Sequence, residues 1–178
     1  MISRQCLVRV AVAGFVVVAV AVLAWSAPIL NSDPAKLHPQ ERSLTKVQSV
    51  RVIIHPLNEL LLKEGLDPLK IKADWVEKLR EGGFEVSEEG KGRPVLAVTV
   101  EVAFDEALPD AIAINPMLEV FQEVVVQRTG EVVKVPTYKH KMVGLFKTSQ
   151  VGKSVNMALD SLLDSFIETC RRADQAKK

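Results

Sequence analysis

Apolar residues along this chain fall into three patterns, and each predicts a different element. Between Val95 and Phe104 the sequence VLAVTVEVAF alternates. Leu96, Val98, Val100, Val102 and Phe104 point one way, and Ala97, Thr99, Glu101 and Ala103 the other. A period of two is that of a strand with one buried face and one partly exposed face. VQSVRVIIHP predicts a second strand over 47–55, rich in β-branched residues and stopped by Pro56. FEVS, at 84–87, predicts a short one. IAINPMLEVFQEVVVQR predicts a long strand interrupted at Pro116, where a proline implies an edge or a bulge. VVKVPTYKHKMVGLF predicts a further strand or a broken pair.

The second pattern recurs every three to four residues. Ile71, Trp75 and Leu79, with Val76 beside them, trace one stripe of a helix. Asp67 suits its N-cap and Pro68 its first position, and Gly82 and Gly83 end it. LNELLLKEG before it suggests a single helical turn. A longer helix is predicted from about Ser154 to Gln175, buried along Val155, Ala158, Leu159, Leu162, Phe166 and Cys170. Cys170 thereby reads as a small core hydrophobe. Two amphipathic helices need a surface to cover, and a half-apolar sheet supplies one. The expected fold class is α+β. We expect a two-layer sandwich with a four- to five-stranded, mostly antiparallel sheet and both helices on one face.

The third pattern has no period at all. Val10 to Trp25 carries no polar side chain, Arg4 and Arg9 precede it, and small residues follow in LAWSAP. That order is a secretory signal. Cleavage after Ala24 or after Ser26 places small residues at the recognised positions. Extension to Leu30 makes the run long enough for an inner-membrane anchor instead. Either way the positive flank stays inside and the body lies outside the cytoplasm. The expectation is a periplasmic protein, or one anchored in the inner membrane and facing the periplasm. Residues 1–26 are read as leader or anchor, 27–46 as a flexible linker, and 47–175 as one domain.

Composition sharpens this in two places. The chain has 23 basic and 22 acidic residues, so it has no long-range attraction for polyanions, and nucleic acid is not an expected partner. It has two cysteines, and Cys6 lies in the leader, so the body has no internal disulfide to form.

Four stretches invite a chemical reading. SQVGKSVNM, at 149–157, looks like a phosphate-binding loop ahead of a helix. Such a loop needs a glycine five residues before Gly152, and Lys147 stands there. No nucleotide is expected, and Ser149 or Ser154 is the expected N-cap. His140 has no nearby His, and His55 is far off in sequence, so no metal site is expected. Asp105, Glu106 and Asp110 cluster after the best strand, where they suit solvation, cation binding or acid–base work. Lys134, Lys139, Lys141, Lys147 and Lys153 make the segment before the last helix basic. They suit an acidic partner or anionic headgroups, or they keep an edge strand from pairing.

Beyond local pattern, SVRVIIHPL, EGLDPLKIKADWVEKLREGGFEV, PVLAVTVEV, LEVFQEVVVQR and VGKSVNMALDSLLDSFIETC follow one another in an order that resembles a family of small exported bacterial proteins of unknown function. Gly65-Leu66, LREGGFEV and LLDSF carry the match, and each is a cap or core phrase. A tryptophan common in those relatives before the last helix is absent here. The resemblance implies the fold and the location, and no activity. At the level of topology the chain also resembles envelope-assembly accessory domains such as the lipopolysaccharide-assembly lipoprotein.

The expected function is therefore a non-catalytic envelope module, without cofactor, that binds an envelope protein or a lipid-like ligand. Asp105, Glu106, Asp110, Lys139 and Lys141 are its candidate contact residues. The alternatives are a periplasmic hydrolase that uses the Asp105–Asp110 loop with His140, and a purely structural subunit of an envelope complex.

Overall fold

The structure, a computed structural model, describes residues 37–176 apart from 90–91 and 109. The expected leader, the linker as far as residue 36 and two residues of the EEGKGRP turn lie outside the described residues. What is described belongs to one unit, Asp33–Lys178.

In chain order the elements are α1 (Pro39–Arg42), β1 (Ser49–Ile54), α2 (Glu59–Lys63), α3 (Pro68–Glu81), β2 (Glu85–Val86), β3 (Val95–Phe104), β4 (Ala111–Val125), β5 (Val132–Lys141), β6 (Gly144–Lys147) and α4 (Val151–Gln175). A 3-10 turn, Thr148–Gln150, leads into α4. The strands run β2-β1-β3-β4-β5, and β6 continues the line of β5 along β4. Both pairings of β1 are parallel, and the three of β4 are antiparallel. The fold is α+β as expected, with six described strands and a parallel minority. The parallel part follows from α3, which carries the chain back so that β2 re-enters beside β1 in the same direction.

One side of the sheet makes the core. Val52, Leu96, Val120 and Tyr138 form one cross-strand row, and all are buried. Ile71, Trp75 and Leu79 of α3 and the predicted stripe of α4 cover that side. Phe166 is fully buried and ties the layers together. Its ring lies 5.7 Å from Phe84 and 6.3 Å from Tyr138. The caps of α3 are as predicted. Asp67 Oδ1 accepts the Leu69 N–H at 2.9 Å. Gly83, at φ +90°, lets the Phe84 N–H turn back to the Leu79 carbonyl.

Three details differ from expectation. Residues 37–46, read as linker, are built into the fold. Leu44 is fully buried, Ser43 Oγ donates to the Thr137 carbonyl at 3.1 Å, and Glu41 pairs with Arg172 at 3.1 Å. This segment closes the core between β5 and α4, a role its polar composition hides.

Pro116 does not interrupt its strand. Its carbonyl accepts from Met142 N–H, just where β5 gives way to β6. A strand residue's N and C=O point to the same neighbour, so the missing N–H faces that junction. The bulge lies instead on β5, where Val120 pairs with Tyr138 and Phe121 with Pro136, leaving Thr137 as the extra residue.

The start of α4 also differs. The helix begins at Val151 and its N-cap is Gln150, with no side-chain cap, so neither Ser149 nor Ser154 plays that part. The 3-10 turn feeds directly into the helix and takes up its first backbone groups.

Candidate functional site

The acidic loop lies at the end of the sheet where β3 stops and β4 begins. Asp105 shapes it. Its Oδ1 accepts the Ala107 N–H at 2.9 Å, and its carbonyl accepts from Leu108. The Asp110 carbonyl accepts from Thr148 N–H, which fastens the loop to the entry of α4. Among the described residues none of Asp105, Glu106 and Asp110 forms an ion pair.

Behind the loop is an apolar cavity of about 300 Å³. Leu60 of α2, Phe104, Ala111 and Ile112 line it together with Asp105 and Glu106. A second cavity of about 540 Å³ holds Glu64, Asp110, Lys147 and Ser149, and the two share Thr148.

Phe104 is the residue that the alternation misjudged. It pairs with Ile112 and so faces the helical side. Ile112 is 2% exposed while Phe104 is 74% exposed, so the layer over the sheet stops between them. Leu108, in the loop, is also exposed. The available signal was AFDEALPD, where an aromatic residue ends a strand against acids.

The remaining candidates are not brought to this place. His140 pairs with Leu118, six residues along β4 from the partner of Phe104. That separation is roughly 20 Å along the sheet. His140 lies half-buried on the helical side, and its Nδ1 is buried without a hydrogen-bond partner among the described residues. His55 sits at the end of β1, three strand spacings from His140, roughly 14 Å.

Lys139 and Lys141 lie on the opposite, open side of the sheet, facing Glu119 and Met117. Lys139 Nζ is 3.3 Å from Glu119. The Thr137 bulge reverses the alternation of β5, so Lys134, opposite Glu123, shares that open side. Lys134 and Lys139 stand opposite glutamates of β4, which is how cross-strand charges stabilise a sheet, whereas Lys141 does not.

Gly152, Lys153 and Ser154 occupy the first turn of α4. Gly152 is buried against the end of α2, and a Cβ there would stand 2.8 Å from the Glu64 carbonyl oxygen. The glycine serves helix packing. Cys170 is 3% exposed, and burial, with Asp174 adding to it, pushes its thiol up to about 12. Burial also raises the Tyr138 phenol, against a smaller opposing effect of its hydrogen bond with Thr169.

No family model matches this chain, and no curated protein matches it. Among solved structures it is similar to a minor lipoprotein from Acinetobacter baumannii, at 12% identity and a TM-score of 0.41. That similarity covers 72% of this chain and 95% of the other. It is also similar to a PelC dodecamer from Paraburkholderia phytofirmans, at 15% identity and a TM-score of 0.36, covering 70% of this chain and 86% of the other. Likeness at this level carries no functional weight. No described helix is long and apolar enough to cross a membrane.

Proposed function

We propose that this protein is a non-catalytic binding module of the cell envelope, exported to the periplasm or anchored in the inner membrane and facing it. The location rests on Arg4, Arg9 and the apolar run from Val10 to Trp25. The binding role rests on one observation. Phe104 stands in water at an open apolar cavity, Leu108 of the loop that follows it is exposed as well, and exposed apolar surface of this kind marks interaction sites. The hydrolase reading loses support because the acidic loop and His140 lie far apart along the sheet.

Site-specific photocrosslinking in cells tests the proposal. A photoreactive residue replaces Phe104 or Leu108, and a control replaces Arg80 on the exposed side of α3. A discrete adduct from the first two sites, absent from the third, is expected. No adduct above background at either site would sink the binding role. Cytoplasmic retention of the wild-type chain would sink the location.

A further inference from the structure

The lining of the apolar cavity says what kind of molecule can sit on it. Part of it is hydrocarbon: Leu60, Phe104, Ala111 and Ile112. The rest of its lining is acidic. Asp105 and Glu106 line it beside these groups, and Asp110 and Glu64 line the adjoining cavity, where Lys147 is the basic residue. None of the four acids is in an ion pair among the described residues, so their charges are not cancelled by the fold.

Two features narrow the occupant. At about 300 Å³ the cavity is at the low end of small-ligand pockets, which suits one inserted side chain better than a whole lipid. The acids of the lining repel phosphate and carboxylate headgroups and attract ammonium and guanidinium groups. Resting on the binding role proposed above, we infer that the cavity takes one aliphatic or aromatic side chain of a partner polypeptide, and that lysines or arginines beside that anchor meet Asp105, Glu106 and Asp110. Leu108 extends the apolar contact beyond the cavity. This is the usual division of labour at an interface, with a buried apolar anchor and a charged rim that sets selectivity.

Fluorescence anisotropy on the full chain, held in a non-ionic detergent with detergent alone as blank, tests the inference. The probe is a labelled synthetic peptide with a central Phe-Leu flanked on each side by two lysines. One control carries glutamates for the lysines, and another serines for Phe-Leu. Saturable binding of the first peptide alone is expected, weakening as salt is raised. Phe104→Ala, and separately Asp105→Asn with Glu106→Gln, should each weaken it by about tenfold. Unchanged circular dichroism and melting would show that these variants fold.

Equal binding of all three peptides, or binding indifferent to Phe104→Ala, would overturn the inference. So would Phe104-dependent binding of phosphatidylglycerol vesicles without peptide binding, which would make the occupant a lipid. Phe104-dependent self-association without peptide binding would overturn it in favour of a second copy of this chain. A crosslinked partner in cells with no peptide binding here would defeat the basic-anchor chemistry and leave the binding role standing. Peptide binding without an in-cell adduct would support the chemistry and count against the role.

Discussion

Gly152 lies so close beneath the carbonyl oxygen of Glu64 that a Cβ on it would stand only 2.8 Å away. This contact joins the first turn of α4 to the end of α2, and it explains a glycine that sequence alone associates with phosphate. Gly152→Ala is expected to destabilise the protein. The better helix propensity of alanine is worth at most about 1 kcal/mol. Overpacking against a backbone atom costs about 1–3 kcal/mol. Urea unfolding should show a net loss of about 1 kcal/mol or more, and magnesium-ATP should leave the midpoint of the wild-type protein unmoved.

Leu44 gives the test of the clamp at 37–46. It is fully buried, so Leu44→Ala should cost about 2–5 kcal/mol. Leu69, 77% exposed on α3, is the control, and Leu69→Ala should stay within about 0.5 kcal/mol of wild type. Equal unfolding midpoints for the two variants would contradict the buried clamp.

Alkaline pH should destabilise the fold. Burial raises the Cys170 thiol from an ordinary value of 9.0 to about 12. It raises the Tyr138 phenol from 10.0. The unfolded chain releases these protons first, so between pH 9 and 12 it holds fewer of them than the native state. Stability then falls as pH rises. The contribution of the thiol is whole below about pH 9 and lost progressively towards pH 12. Denaturation series from pH 8 to 10 should slope downward, and Cys170→Ala should flatten the slope.

The same burial makes Cys170 inert. A neutral, enclosed thiol is a poor nucleophile. Ellman's reagent at pH 8 should label the unfolded chain quickly and the native body only at the rate at which it opens. Prompt stoichiometric labelling of Cys170 in native protein would show the helix stripe to be looser than described.

Two of the open-face lysines, Lys139 and Lys141, should separate in their effects. Lys139→Glu sets a second carboxylate against Glu119, which is only 19% exposed, and should cost about 1 kcal/mol. Lys141→Glu faces Met117 and should stay within about 0.5 kcal/mol. Thermal melts of the two variants decide this.

Much of the architecture was legible from spacing. The β3 alternation, the α4 stripe, and the Asp67 and Gly83 ends of α3 are local, because period and cap chemistry act within a few residues. The bulge at Thr137 was not legible. Val-Lys-Val-Pro-Thr-Tyr-Lys reads as plain alternation, and only pairing against Phe121 and Val120 shows that one residue is extra. That residue brings Lys134 to the side of Lys139. The candidate site was half legible. Asp105, Glu106 and Asp110 could be named, but Phe104 read as core, and the cavity behind it joins α2 to β3 and β4 across dozens of residues.

The sequence by itself determined the α+β class, the buried stripe of each helix and the sided character of each strand, because these follow from which residues repeat at 2.0 or 3.6; the leader pattern is as legible, as an unbroken apolar run behind Arg4 and Arg9. Only the tertiary structure decided how far each covering layer extends. Ile112 and Phe104 are partners on one side of one sheet, yet one of them is 2% exposed and the other 74%. Burial depends on what stands opposite, and a residue's own period says nothing about that.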